Sequence, residues 1–157
     1  MEARERYLQW MRARLPGLDG LAVGIDCSNG MAGLLVPALF PAAHVLNDVP
    51  DGHFPCHSPN PLKAEAREQI AALVRGRGLD CGVIFDGDAD RAMFVDETGA
   101  FVQPDYLIPV VAQATRAFVR PSVARPVVLH DVRTSRGAVE TLREQGFEPV
   151  KIGRAHV

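Results

Sequence analysis

The sequence predicts an α/β fold in which a mixed sheet is flanked by helices and followed by a partial β-α-β unit. Two strand-turn-helix patterns predict the parallel part. An apolar stretch at 21–26 leads into turn residues and a helix-length segment, and the same order recurs from residue 127. Two apolar stretches on either side of a glycine-bearing turn at 96–99 predict an antiparallel hairpin. Parallel strands and a hairpin together make a mixed sheet.

The first 46 residues supply a helix and the first of these strand-turn-helix patterns. Apolar side chains at helical spacing predict an amphipathic helix over 3–15, and they are Tyr7, Leu8, Met11 and Leu15. A buried strand is expected at 21–26, and the turn Ser28-Asn29-Gly30 should open a helix over 31–40. Val45 and Leu46 indicate a second short strand.

Residues 51–61 predict an ordered but irregular loop, because three prolines fix the backbone and bias the residue before each one toward extended geometry. His53 and His57 lie four residues apart, a spacing that suits a metal only on a helix. Since the prolines exclude a helix, we expect neither histidine to be a metal ligand.

A helix is predicted from residue 62 to about residue 75, ended by Gly76 and Gly78. Its apolar stripe consists of Leu62, Ala66, Ile70, Leu73 and Val74. The next strand is expected to begin at Cys81.

Three carboxylates at alternate positions follow that strand: Asp86, Asp88 and Asp90. Alternate positions do not share a helix face, so these side chains converge only where the strand ends and the backbone curls. Clustered carboxylates repel one another unless a cation neutralises them, and an all-oxygen set favours a hard divalent ion, above all Mg²⁺. Arg91 carries a planar guanidinium that suits a phosphate. The stretch therefore predicts a Mg²⁺ and phosphate site at the end of a buried strand.

Three other interpretations of this acidic stretch remain open from the residues. It can be a solvated loop. A calcium helix-loop-helix is a second possibility, although Arg91 stands where that loop needs glycine, and both flanks resemble strands. A phosphatase of the haloacid dehalogenase type also begins with a strand and two aspartates two apart, but it has threonine or valine where Asp90 stands.

The last third of the sequence predicts a helix over 105–119, a proline-bearing linker at 120–126 and a strand-helix-strand unit over 127–152. We expect a domain boundary in the linker. Arg133 and Arg136 lie at the N-terminus of the last helix, where amide donors and the helix dipole favour an anion. A helix cap with solvated arginines explains the same pattern.

Composition narrows the class of protein. Of the 157 residues, 47% are hydrophobic, which is enough for a core. The formal charge of −2 does not indicate nucleic-acid binding. No apolar stretch approaches the length of a membrane span, and the N-terminus lacks a signal-peptide core, so we expect no membrane partner and a cytoplasmic location. The three cysteines, Cys27, Cys56 and Cys81, are expected to be reduced thiols.

Several stretches resemble one family. The segment GVIFDGDADRAMFVDETGAFV resembles the metal-binding loop of the α-D-phosphohexomutases, the phosphomannomutase and phosphoglucomutase family. Residues 51–61 resemble the family signature DGxFPxHxPxP, and DVRTSR at 131–136 resembles the beginning of the family's third domain. The resemblance implies that Asp86, Asp88 and Asp90 bind Mg²⁺ and that Arg91 contacts phosphate. It also implies that Arg133 and Arg154 face the substrate phosphate.

The same resemblance implies the organisation and the activity. Residues 1–120 would form a phosphohexomutase second domain and 121–157 the truncated start of the third. The family moves phosphate between the 1- and 6-hydroxyls of a hexose through a bisphosphate, with a phosphoserine in a TASHNP-like stretch that this sequence does not contain. The expected partners are therefore a hexose phosphate, a hexose bisphosphate and the remaining mutase domains, and the chain alone should be inactive. The alternatives are a phosphatase that uses Asp86 as nucleophile, and a Mg²⁺-binding domain or truncated product without catalysis.

Overall fold

A computed structural model describes residues 3–15, 17–18, 20–120 and 122–153. The chain divides into two compact units, Met1–Val102 and Gln103–Val157. The helices are α1 (Ala3–Arg12), α2 (Val36–Leu39), α3 (Glu68–Arg77), α4 (Pro104–Thr115) and α5 (Arg136–Glu144). The strands are β1 (Val23–Asp26), β2 (His44–Leu46), β3 (Cys81–Phe85), β4 (Ala92–Val95), β5 (Phe101–Val102), β6 (Val127–His130) and β7 (Glu148–Lys151).

The first unit is built on a five-stranded mixed sheet with the strand order β2-β1-β3-β4-β5. Strand β1 pairs in parallel with β2 and β3, whereas β4 pairs antiparallel with β3 and β5. This is the predicted α/β fold with a mixed sheet. Because β1, β2 and β3 are parallel, their carboxyl ends meet at one edge of the sheet, where α/β proteins commonly place their sites.

Alternate residues of the strands build a core on each face of the sheet, as the pleat requires. On one face, Ile70 and Val74 of α3 pack with Ile84 and Val95. Gly82 allows α3 to pack closely on the sheet, because a Cβ at this position would lie only 2.7 Å from Ile70 Cγ1. The core of the other face consists of Val23, Ile25, Cys27, Ala32 and Val36.

Two predicted helices of this unit differ from the observed ones. The helix expected over 31–40 is a 3-10 turn, Met31–Leu34, followed by the short α2, because Leu35 departs from helical geometry with φ −121° and ψ −41°. The helix expected from residue 62 begins with a 3-10 turn at Glu65–Arg67. Leu62 therefore lies outside the stripe and is 53% exposed.

The second unit is a parallel strand-helix-strand unit with one preceding helix. Strands β6 and β7 pair in parallel, as predicted, and α4 packs against α5 through Ala112, Leu142 and Phe147. The division of the chain falls before α4, which contacts α5. The domain boundary expected in the linker at 120–126 stays a prediction. The assignment of 121–157 to the start of a third domain stays a prediction.

Among the described residues, no helix combines the length and the apolar character that a membrane crossing requires.

Candidate metal centre

The loop between β3 and β4 carries the three aspartates at the carboxyl edge of the sheet. It closes as a tight turn, because the amide of Asp86 donates to the carbonyl of Arg91 at 3.1 Å and the amide of Ala89 donates to the carbonyl of Asp86 at 3.2 Å. Ala89 adopts the left-handed backbone with φ +63°. The curl expected from the alternating carboxylates is therefore present, and Ala89 supplies its unusual backbone angle.

Gly87 packs closely against a second segment of the chain. A Cβ at Gly87 would lie 3.2 Å from the ring of Phe54 and 3.4 Å from Pro59. Both neighbours belong to the proline-rich loop at 51–61. That loop therefore covers one side of the acidic turn.

The three carboxylates converge. Oxygens of Asp86, Asp88 and Asp90 all lie within 4.8 Å of one another, a spacing that side-chain rotation can close around one ion. Asp86 is buried at the strand end, whereas Asp88 and Asp90 are exposed and leave room for water or phosphate ligands. An all-oxygen donor set with an open side fits Mg²⁺, which commonly keeps water or substrate-phosphate ligands beside one or two carboxylates.

Arg91 supplies the positive charge of this cluster. Its Nε donates to Asp86 Oδ2 at 2.5 Å and to Asp90 Oδ1 at 3.3 Å, and its amide donates to Asp86 Oδ1 at 3.1 Å. Within the described residues only Nε of this guanidinium is hydrogen-bonded, so its two terminal nitrogens can bind phosphate oxygens.

The environment separates the pKa values of two of the carboxyls. Burial raises the pKa of Asp86, but the Arg91 amide, the hydrogen bond with Asp90 and the Arg91 guanidinium outweigh it and lower that pKa below 3.8. The hydrogen bond with Asp86, then burial and repulsion from Asp86 and Asp88, raise the pKa of Asp90. Asp86 is thus the anionic anchor of the cluster. Repulsion among the carboxylates is what a bound cation would relieve.

Two alternative interpretations of the acidic stretch lose support. The calcium helix-loop-helix is wrong, because the flanking elements are the strands β3 and β4. A phosphatase nucleophile must reach its substrate, whereas the Asp86 side chain is 1% exposed and paired with Arg91.

Two residues that were not predicted as site residues contact this loop directly: Ser28 of the turn after β1, and Met31 at the start of the predicted helix. Ser28 Oγ donates to the carbonyl of Phe85, immediately before Asp86, at 2.5 Å. The amide of Met31 donates to the carbonyl of Gly87 at 3.0 Å. The signal that could have found them is the parallel pairing of β1 with β3, because it brings the residues that follow both strands to one edge.

The predicted substrate residues of the second unit are not confirmed as a site. Arg133 is exposed and forms a bidentate pair with Asp131, with Nη2 to Oδ2 at 2.9 Å and Nε to Oδ1 at 3.1 Å. The amide of Ser135, at the start of α5, donates to Asp105 at 2.9 Å. The carboxylates of Asp131 and Asp105 therefore accept some of the hydrogen bonds that were predicted to bind a phosphate. Arg154 lies outside the described residues, and both assignments stay predictions.

Comparisons with known proteins identify the family that the chain resembles. The family model "Phosphoglucomutase/phosphomannomutase, alpha/beta/alpha domain II" matches residues 5–99. A phosphomannomutase/phosphoglucomutase of Pseudomonas putida is 38% identical over 151 residues, which are 93% of this chain and 32% of the relative. A phosphoglucosamine mutase of Bradyrhizobium sp. is 36% identical over 157 residues, 94% of this chain and 33% of the relative.

A crystal structure of a phosphoglucomutase/phosphomannomutase family protein from Burkholderia thailandensis superposes with a TM-score of 0.86 at 26% identity. The match covers 99% of this chain and 34% of that one. The chain thus spans about a third of the length of the relatives it matches. Sequence, fold and structural similarity agree, and the chain belongs to the phosphoglucomutase/phosphomannomutase family, whose α/β/α domain II it contains.

Proposed function

We propose that this chain is the Mg²⁺-binding part of a phosphohexomutase that transfers a phosphoryl group between the 1- and 6-hydroxyls of a hexose phosphate through a bisphosphate. The observation that carries the proposal is the convergence of Asp86, Asp88 and Asp90 within 4.8 Å, beside the Arg91 guanidinium, which uses only Nε for hydrogen bonds to the residues that the structure describes. Family membership supports the reaction class.

Each residue of the centre has a distinct role in this proposal. Asp86 is the buried anionic anchor, and Asp88 and Asp90 complete the ligand set from the open side. These carboxylates would hold Mg²⁺, and the bound ion would withdraw charge from the transferred phosphoryl group. Arg91 binds phosphate oxygens through its terminal nitrogens and orients the group, the main protein contribution in phosphoryl transfer.

The remaining parts of the reaction are assigned by resemblance. Arg133 and Arg154 would bind the substrate phosphate, and a phosphoserine in another domain would carry the phosphoryl group. The chain alone then lacks the phosphoryl carrier and should not turn over substrate. The relatives' names differ in the sugar they act on, so the substrate class is hexose phosphates in general. A cytoplasmic location belongs to the same proposal.

Complementation tests this function. The purified chain is mixed with a relative's remaining domains, and conversion of glucose 1-phosphate to glucose 6-phosphate is followed with Mg²⁺ and catalytic glucose 1,6-bisphosphate. Mannose and glucosamine phosphates are assayed in parallel. We expect activity from the mixture that neither part shows alone, and its loss with Asp88→Asn. Asp51→Asn, which removes an exposed carboxylate outside the cluster, is the matched control.

Rescue of no hexose phosphate at any ratio of the two parts would contradict the proposal. Activity that survives Asp88→Asn would show that the reaction does not depend on this metal centre. Hydrolysis of a generic phosphate ester by the chain alone, abolished by Asp86→Asn, would favour the phosphatase alternative instead.

A further inference from the structure

We propose that His57 is a positioning residue for the metal centre, acting through Asp26 and Ser28 on the backbone that carries Asp86. This inference rests on the proposed function, because it assigns a role toward the same Mg²⁺ site. His57 lies in the proline-rich loop, 29 positions before Asp86 in the sequence, and the fold brings the two segments together at the carboxyl edge of the sheet.

His57 forms a buried hydrogen bond with Asp26 at the end of β1. Its Nε2 lies 3.0 Å from Asp26 Oδ2, and the side chains are 5% and 0% exposed. Its Nδ1 lies 2.9 Å from the carbonyl oxygen of Ser58, which can only accept, so Nδ1 carries a hydrogen.

The second ring nitrogen is also occupied by protein groups. Nε2 of His57 lies 3.0 Å from Asp26 Oδ2 and 3.3 Å from the amide nitrogen of Asn47. That amide nitrogen lies 3.0 Å from both Asp26 Oδ1 and Gln69 Oε1, so Asn47 belongs to the same hydrogen-bonded cluster. Both ring nitrogens of His57 are thus engaged by protein groups, and its role toward the metal is positional.

Asp26 transmits this constraint to the acidic loop through Ser28. Asp26 Oδ1 accepts the amide of Ser28 at 2.8 Å, and this contact holds Ser28 in the left-handed conformation with φ +52°. In that conformation Ser28 Oγ donates to the carbonyl of Phe85 at 2.5 Å. Because Phe85 precedes Asp86, the hydrogen-bond chain from His57 ends one residue before the buried metal ligand.

The loop that contains His57 also contacts the acidic turn from its other side. Phe54 and Pro59, on either side of His57 in sequence, pack against Gly87. The bond between His57 and Asp26 ties this loop to β1. Loss of that bond should release the hydrogen-bond chain and the packing contact together. Outer contacts of this kind orient metal ligands, and their removal commonly weakens metal affinity.

The test measures Mg²⁺ affinity of the whole chain by calorimetry, with the metal alone as the probe. His57→Leu removes both ring nitrogens at similar size, whereas His57→Gln keeps one donor for Asp26. We expect Leu to weaken Mg²⁺ binding about tenfold or more and Gln to restore it to within about threefold of wild type. Val74→Ala is the matched control, because it destabilises the buried core under α3 without touching the loop.

His57→Leu leaves Asp26 buried without its partner, and this variant can therefore fail to fold. A second variant with a milder change covers that case. Ser28→Gly keeps the hydrogen bond between His57 and Asp26 and accepts the left-handed backbone, and it removes only the hydroxyl that reaches Phe85. We expect it to weaken Mg²⁺ binding about tenfold. Thr115→Ala, which removes a hydroxyl of α4 in the second unit, should leave binding unchanged.

Hydrogen exchange separates this inference from the proposed metal function. In the metal-free chain, amides of residues 86–91 should exchange faster in His57→Leu and Ser28→Gly than in wild type or Val74→Ala. If wild type binds no Mg²⁺, the metal function fails, and the exchange rates alone decide whether His57 positions the loop. If wild type binds Mg²⁺ and the folded His57 and Ser28 variants bind it equally well, the positioning role is wrong.

Discussion

Substitution of Gly30 by alanine should displace the metal loop without altering any ligand. Gly30 has φ −105° and ψ −167°, an extended conformation that alanine adopts freely, so the backbone itself is not strained. An added Cβ would lie 2.5 Å from the carbonyl oxygen of Gly87, between two of the three aspartates. Gly30→Ala is therefore a purely steric test of how the turn after β1 supports the loop.

The expected magnitude follows from that distance. Ordinary contact begins at 3.4 Å, so the Gly87 carbonyl must move by roughly 0.9 Å, beyond the tolerance of about 0.5 Å that binding constellations allow. Overpacking of this kind costs about 1–3 kcal/mol of unfolding free energy. A displacement of this size should weaken Mg²⁺ binding about tenfold, equivalent to about 1.4 kcal/mol.

Urea unfolding and calorimetric Mg²⁺ titration measure the two effects on the same preparation. Gly52→Ala is the matched control, because no atom of the described residues lies within 4 Å of its added Cβ. We expect the control to resemble wild type in both measurements. A Gly30→Ala protein with wild-type stability and wild-type Mg²⁺ affinity would refute the inferred support of the loop by this turn.

Three further predictions concern the core, the hairpin and the thiols. Ile70→Ala should lower the free energy of unfolding by about 2–5 kcal/mol in urea titrations, and an unchanged midpoint would contradict its core position. Hydrogen bonds from the Thr98 hydroxyl and from backbone amides lower the pKa of Asp96. The stabilisation that these bonds give is complete above the ordinary pKa of 3.8 and is lost as the pH falls through the lower pKa of the folded state. Asp96→Asn should therefore lose less stability than wild type on acidification. Equal losses of stability in the two proteins would refute this. Burial raises the pKa of Cys27 to about 12, so peptide mass spectrometry should find exposed Cys56 alkylated at pH 8 and Cys27 unmodified until the chain unfolds; equal labelling would contradict it.

The elements that the sequence predicted well have strong local causes. Gly78 adopts φ +62° and caps α3, close to where the glycines predicted the end of the helix. Gly99 adopts φ +77° in the turn between β4 and β5, as the hairpin pattern required. Both positions depend on backbone angles that glycine adopts at low cost, so the glycine alone predicts the helix end or the turn.

The failures of prediction arise where distant segments meet. Gly33 is needed because a Cβ there would lie 1.9 Å from the carbonyl of Asp48, a contact that no local pattern reveals. The acidic loop was predicted from its spacing, yet Ala89 carries the left-handed angle and Gly87 provides the packing space. The role of Ser28 depends on the parallel register of two strands more than fifty residues apart. Spacing predicted the acidic cluster, whereas only the assembled sheet shows its supports.

A calorimetric Mg²⁺ titration of the purified chain, beside an Asp88→Asn variant, tests the central claim most directly. Asp88 is exposed, so its replacement by the isosteric amide should leave the fold intact, which circular dichroism checks. The three converging carboxylates predict one Mg²⁺ per chain, tightened by a hexose bisphosphate and lost in the variant. Absence of Mg²⁺ binding in wild type, or equal binding in wild type and variant, would contradict the assignment of this loop as the metal centre.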